Sequence, residues 1–267
     1  MNIGWDEVAD DYKDITVPFL AQYLPKLIEL ADLGPDLNVL DVGTGTGLAA
    51  VEAAKRILPE GRVLATDFSV RMLSHARALI DDNQLTNIDI YAMTAEDLDI
   101  HSETFDRVIC NFSLPFFQDR KKALDEMFRV LKPEGKAAIS IWADRENCLV
   151  LGIMDAIVQE TVSDLENLIK PSLFDLGTDD AISTALDDTG FSSFEIHHET
   201  HTARYKKAED YWEKLYRTGP DLRETLSEFS EEQVAHIRKR VLTEVEKHRQ
   251  GDKIILPSEA LIAIAIK

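Results

Sequence analysis

Cysteine is nearly absent: Cys110 and Cys148 are alone among 267 residues and form no CxxC pair. That excludes a disulfide framework as the source of stability. Basic residues are scarce as well. Lys and Arg number 29 against 49 Asp and Glu, a formal net charge of −20. Phosphate backbones and anionic membrane surfaces would be repelled, so neither nucleic acid nor membrane is expected as a partner. The short runs Arg120-Lys121-Lys122 and His236 to Arg240 are too interleaved with acids to make a patch. Apolar runs of membrane-spanning length are missing too. Met1 to Leu20 carries Asp6, Glu7, Asp10, Asp11 and Asp14, which does not suit a signal peptide, so a cytoplasmic protein is expected. Internal repeats and low-complexity segments are also lacking. What remains is 45% apolar content, enough for a packed core in one large α/β domain or a domain with an added subdomain.

The periodicities place that core. Residues 3–14 and 18–33 read as amphipathic helices, the second with Pro18 near its start and Gly34-Pro35-Asp36 as its stop. Short apolar runs at 37–42, 62–67, 88–92, 105–112 and 136–142 read as strands. Helical patterns separate most of them, one capped by Ser69 and another running from Asp119 to Leu131. Strands alternating with helices require a parallel sheet covered on both faces. Beyond Ala143 the rhythm changes. Helices are expected over 147–170 and 179–189, the latter closed by Gly190. A strand follows at 193–205, then charged helix over 207–249 with a break at Gly219-Pro220 and a capping box from Ser230 to Gln233. Ile254 to Leu256 and Leu261 to Ile266 supply the last strand.

The chemistry concentrates at Val39-Leu40-Asp41-Val42-Gly43-Thr44-Gly45-Thr46-Gly47, a strand passing through a glycine loop into a helix. Glycine is needed where the chain turns with φ > 0 or a ligand lies against the main chain. A dinucleotide fold favours G-x-G-x-x-G, but Leu48 stands where the last glycine would fall. Asp41 would repel a diphosphate and suits a ligand carrying a cation. Asp67, at the end of the second strand, is placed to accept from two ribose hydroxyls, a feature common to both ligand classes.

These segments resemble the class I S-adenosylmethionine-dependent methyltransferases, in particular the small-molecule branch that includes quinone-biosynthesis enzymes. Val39 to Gly47 is similar to that family's first motif and Leu64 to Ser69 to its second. Ala92 to Leu98 is similar to the adenine segment, Phe105 to Asp119 to the fourth-strand motif, and Arg129 to Lys136 to the lead into the fifth strand. The resemblance covers residues 5–142 well and the remainder only in layout. It implies a doubly wound, mostly parallel seven-stranded Rossmann-like sheet with a helical insertion before the last strand, and S-adenosylmethionine as cofactor. Gly43, Gly45 and Gly47 would let the loop touch the methionine part, with Thr46 nearby and Asp41 reaching the amino group indirectly. Asp67 would hold the ribose and Phe68 lie against the adenine. Thr94 and Ala95 would bracket the adenine edge. Many relatives carry an acid where Thr94 stands, so Asp97 or Glu96 is an alternative partner for the adenine amino group. Asn111 would face the cofactor.

Methyl transfer prescribes no catalytic signature, because the donor carries its own leaving group. Phe112 to Phe117 lies where the acceptor would sit, with Phe116, Phe117 and the lid residue Tyr12 as candidates and no general base assigned. Its aromatic character favours an apolar small molecule and lacks the pattern of amino-methyltransferases acting on adenine or glutamine. His197, His198 and His201 are read as a solvated edge strand, not a metal site. The expected division is lid helices over 1–34, cofactor-binding core over 35–145, helices and sixth strand over 146–206, helical insertion over 207–252 and last strand over 253–267. The insertion is either a lid over the acceptor or a homodimer contact. The alternatives are an NAD-type dehydrogenase and a catalytically silent S-adenosylmethionine-binding regulator.

Overall fold

The computed structural model describes residues 4–162 and 172–267. Strands β1 (Asn38–Val42), β2 (Arg62–Asp67), β3 (Ile88–Ala92), β4 (Phe105–Asn111) and β5 (Leu131–Trp142) are followed by β6 (Ser193–Tyr205), β7 (Arg249–Gln250) and β8 (Lys253–Ile266). They lie in the order β3-β2-β1-β4-β5-β8-β6, with β7 beside β8. The first five pair in parallel, and β8 runs antiparallel to β5, β6 and β7. The expected seven strands are present, and the two-residue β7 adds an eighth by folding the end of the helical block back on β8. Strand order reverses beside β1, which has β2 on one side and β4 on the other. In open parallel sheets a ligand crevice forms outside the carboxyl ends of strands at such a point.

The helices are α1 (Gly4–Asp11), α2 (Val17–Leu20), α3 (Leu24–Leu30), α4 (Leu48–Arg56), α5 (Val70–Asp82) and α6 (Arg120–Val130), then α7 (Leu149–Val162), α8 (Asp179–Thr189), α9 (Ala208–Thr218), α10 (Pro220–Ser227) and α11 (Glu231–Glu246). The helix expected over 18–33 is two helices. Pro25 brings no N–H to the second one's first turn, so the chain breaks at Ala21 to Tyr23. The helix expected over 147–170 is α7 as far as Val162, and the rest lies outside the described residues. β5 begins at Leu131 rather than 136, because Leu131 pairs with Phe105 before a bulge.

One face of the sheet buries α3 and α4, whose Ala49, Ala50, Ala53 and Ala54 allow close approach. The other buries α6 and α8 through Leu124, Met127, Ile182 and Leu186. β6 and β8 overhang β5, which pairs only with Ala260 to Ile266. The overhang carries a third core of Tyr205, Ile254 and Leu256 under α7, α9 and α11. Pro257 is tolerated inside β8 because the N–H groups of Ile255 and Glu259 point to the side away from β6, where loop carbonyls of His248 and Asn147 accept them. Proline simply leaves that place blank.

Tyr23 ties the N-terminal helices to this overhang. It is fully buried, its rings edge-on to Phe112 and Trp142, and its hydroxyl donates to the Ser258 carbonyl at 2.7 Å. Tyr23→Phe removes that hydrogen bond, while the Ser258 carbonyl still faces His201 in the β6–β8 ladder, and lowers the unfolding free energy by about 1 kcal/mol. Urea denaturation checks this through a lower midpoint at unchanged slope.

Candidate active site

The glycine loop leaves β1 at the reversal point. Gly43, Gly45 and Gly47 have φ of +67, +54 and +86°, which non-glycine residues rarely adopt. Their missing side chains have different reasons. A Cβ at Gly43 would lie 2.6 Å from Ser113 Cβ, and one at Gly47 would lie 2.9 Å from Ala76 Cβ. At Gly45 it would meet nothing within 4 Å, so this glycine presents bare backbone to open space. The loop is pinned by Thr44 N–H to the Thr66 carbonyl at 2.8 Å and by Ser113 Oγ to the Gly43 carbonyl at 2.7 Å.

Asp41 sits beneath the loop, fully buried. Its Oδ2 accepts from Thr44 Oγ1 at 2.6 Å, while Oδ1 has no hydrogen-bond partner. Burial pushes its pKa up to about 7, and the Thr44 hydroxyl and the nearby Ala50 backbone pull it back only in part. Asp67 is better satisfied, accepting from Gly45 N at 2.9 Å and Ser69 N at 2.8 Å. Each oxygen keeps a further lone pair. Burial raises its pKa as well. Asn111 is held by Ser140 Oγ donating to its Oδ1 at 2.8 Å. Phe112 follows with φ of +57°, a strained conformation for a bulky residue, and Ser140 accepts its N–H through both carbonyl and hydroxyl. Strain of this kind aims a side chain, here across Trp142 at 4.3 Å.

These groups line a cavity of about 780 Å³ counting its open mouth. Asp41, Gly43, Gly45, Thr46, Asp67, Phe68 and Asn111 lie on its wall, together with Tyr12, Phe116 and Phe117. Gly47 does not; it serves the packing of α4 on α5. Nor do Thr94, Ala95 and Asp97. Thr94 and Asp97 are exposed across a tight turn, and Ala95 packs into the core. Glu96 accepts from Gln118 N at 2.9 Å, so it ties this segment to the start of α6. The segment still adjoins the cavity through Met93 N–H to the Asp67 carbonyl at 3.1 Å.

A second cavity, about 1350 Å³ with its mouth, lies beyond a wall that both share: Trp5, Tyr12, Leu20, Phe112 and Phe116. Trp5 packs edge-on to Tyr12 at 5.4 Å and to Phe116 at 5.0 Å. Phe117, expected on the acceptor side, lines only the first cavity. The 3-10 turn Leu114–Phe116 swings Phe116 toward the shared wall, and the extended backbone at Phe117 then turns that ring back against Gly43. Burial and the charge of Asp67 hold the Tyr12 hydroxyl above its ordinary pKa, so it stays protonated near neutral pH.

The N-terminal acids act as latches. Asp6 accepts from Ser69 Oγ at 2.5 Å, Asp10 meets Arg71 at 2.8 Å, and Asp11 pairs with Arg217 of α9. Spacing could not reveal these pairs, because their partners are scores of residues away. Each exposed pair contributes little energy; together they set where α1 sits. The histidines of β6 take separate carboxylates: His197 with Glu195, His198 with Glu259 and Asp179, His201 with Glu199. No group of three or more potential metal ligands occurs among the described residues. No helix among them is long and apolar enough to cross a membrane.

Comparison with known proteins fits this geometry. Residues 39–135 match the family model described as a methyltransferase domain. The ubiquinone/menaquinone biosynthesis C-methyltransferase UbiE of Hydrogenovibrio crunogenus is 34% identical over 141 residues, 51% of this chain and 55% of that one. The chain thus spans about half the length of that relative. In three dimensions the YcgJ protein of Bacillus subtilis aligns over 92% of this chain and 98% of its own, with a TM-score of 0.64 at 19% identity. Phosphoethanolamine N-methyltransferase 2 of Haemonchus contortus, solved with S-adenosylhomocysteine, aligns over 92% of this chain and 52% of its own, with a TM-score of 0.58 at 20% identity. At these identities the structural likeness speaks to the fold.

Proposed function

We propose, from the match of residues 39–135 to a methyltransferase domain, that this chain is a class I S-adenosylmethionine-dependent methyltransferase acting on a small apolar molecule in the cytoplasm. The observation that carries the reading is the pair of cavities meeting at one aromatic wall, with the cation-seeking Asp41 on one side.

The residues of the first cavity suit S-adenosylmethionine. Asp41 has a buried oxygen to offer an ammonium, Gly45 offers bare backbone, and Asp67 has lone pairs for a ribose diol. Phe68, exposed at the rim, offers a face to the adenine. When bound, the cofactor supplies a methyl group activated by its sulfonium and a neutral leaving group. The chain's own task is alignment. Trp5, Tyr12, Phe112 and Phe116 exclude water from the passage between the cavities and hold an acceptor atom at roughly 3–3.5 Å for in-line attack. Residues 1–34 and 207–252 act as the lid, since both contribute to the wall of the second cavity. The net charge of −20 disfavours nucleic acid as the acceptor. The name of the Hydrogenovibrio relative, a quinone-biosynthesis enzyme, supports an apolar acceptor.

Thermal shift is the direct test. S-adenosylhomocysteine at a hundred times its Kd stabilises the fold by about 2.7 kcal/mol, seen as a clear rise in Tm, while NAD at equal concentration leaves Tm unchanged. A rise with NAD and none with S-adenosylhomocysteine overturns the reading and restores a dehydrogenase.

A further inference from the structure

The second cavity is walled chiefly by apolar side chains, among them Phe19, Trp142, Met154, Val158 and Leu215. Into it α9 sends Lys214, whose Nζ stands 5.2 Å from the centre of the Phe19 ring. Lys214 makes no ion pair among the described residues. Burial alone pulls its pKa below the ordinary lysine value. Of the acids on the same wall, Asp155 ion-pairs with Arg145 at 2.6 Å while its buried Oδ2 makes no hydrogen bond, and Asp221 at the start of α10 has its own contacts. The Thr16 hydroxyl, also on this wall, is buried without a partner.

A lone ammonium in an apolar pocket is unfavourable unless something compensates it. The Phe19 ring does so in part, through its quadrupole. An orphaned hydroxyl on the same wall adds a second unmet demand. The ammonium is met by an apolar guest with a single anionic oxygen group, and the hydroxyl by any hydrogen-bonding group on that guest. An acceptor bearing a cation would be repelled by Lys214, and the Asp155 carboxylate on this wall is already paired with Arg145.

We propose that Lys214 is the residue by which the second cavity selects its guest, and that the methyl acceptor is an apolar molecule carrying one acidic oxygen group of the carboxylate or phenolate kind. The proposal rests on the second cavity being the acceptor site. Lys214 binds and orients; it is not assigned as a base.

Two fluorescent probes of nearly the same aromatic frame test it, both titrated in the presence of S-adenosylhomocysteine. Anilinonaphthalene sulfonate carries an anion, and N-phenyl-1-naphthylamine does not. Lys214→Met is expected to raise the Kd of the sulfonate at least about tenfold while that of the neutral amine stays within about twofold. Lys214→Arg restores the sulfonate. Leu222→Trp, which fills the same cavity, weakens both probes. An equal effect of Lys214→Met on both probes marks a merely structural lysine and overturns the proposal. So does sulfonate binding that neither cavity variant alters. The thermal shift with S-adenosylhomocysteine reports separately on methyl transfer. A protein that passes it while its sulfonate affinity ignores Lys214 keeps the proposed function and loses this inference.

Discussion

Asp41→Asn is expected to weaken the donor and strengthen the empty protein at the same time. The unfolded chain ionises Asp41 near pH 4, the folded chain at about 7. Across that window the folded state keeps a proton that the unfolded state has released, so stability falls as pH rises. Above pH 7 the full cost is present, up to ~4 kcal/mol for a shift of this size. Asparagine keeps an acceptor for Thr44 Oγ1 and removes the charge. At pH 8 the variant therefore melts higher than the parent, and near pH 4 the two converge. Donor affinity moves the other way. Removing one partner of a buried ion pair typically costs ~3–5 kcal/mol, so the Kd for S-adenosylhomocysteine rises about a hundredfold or more. In the parent, protons compete with the donor's ammonium, and Kd climbs toward tenfold per unit as pH falls below 7. Calorimetric titration from pH 5.5 to 8.5, with melting curves in the same buffers, checks both signs. A variant that binds the donor as the parent does removes Asp41 from the site.

Gly47→Val carries the largest stability loss we expect from one substitution. The backbone there has φ of +86°, and the added Cβ would stand 2.9 Å from Ala76 Cβ and 3.0 Å from Ala76 Cα. The obstacle is the body of α5, which cannot yield like a flexible side chain. Overpacking costs ~1–3 kcal/mol and a left-handed β-branched residue another ~1–3 kcal/mol, together about 3 kcal/mol or more. A fall in Tm of at least several degrees follows. Ala76→Gly in the same chain removes the Cβ contact but neither the 3.0 Å approach to the Cα nor the dihedral, so it recovers only part of the loss. Gly45→Ala makes the contrast. Its Cβ would meet nothing, so the fold loses only about 1 kcal/mol while donor binding suffers from the methyl group pushed into the cavity.

The residues that line the first cavity were largely legible from the sequence. Alternating glycines after Asp41 demand φ > 0, and an acid at the end of the second strand suits a diol; both are local facts that need no partner. The adenine segment was less so. Thr94, Ala95 and Asp97 follow the motif, yet the fold sets two of them in an exposed turn and one in the core. Ser113, which locks Gly43, gave no signal because a serine after a strand is ordinary until its neighbour seventy residues earlier is known. Lys214 was hidden for a similar reason. In a charged helix a lysine reads as solvated, and only the packing of α9 over Phe19 turns it inward.

By itself the sequence determined the alternation of strands and helices, the glycine loop and its acid, because backbone dihedrals, apolar runs and capping act within a few residues; the class of donor came from the family resemblance those segments carry. Tertiary structure decided the rest. Pairing β8 between β5 and β6 created the overhang that carries the third core, and the contacts of Asp6, Asp10 and Asp11 tied α1 to α5 and α9. Whether a buried polar atom is left without a partner depends on every element around it. That is why the unmet oxygen of Asp41 and the inward turn of Lys214 over Phe19 become visible only in the folded chain.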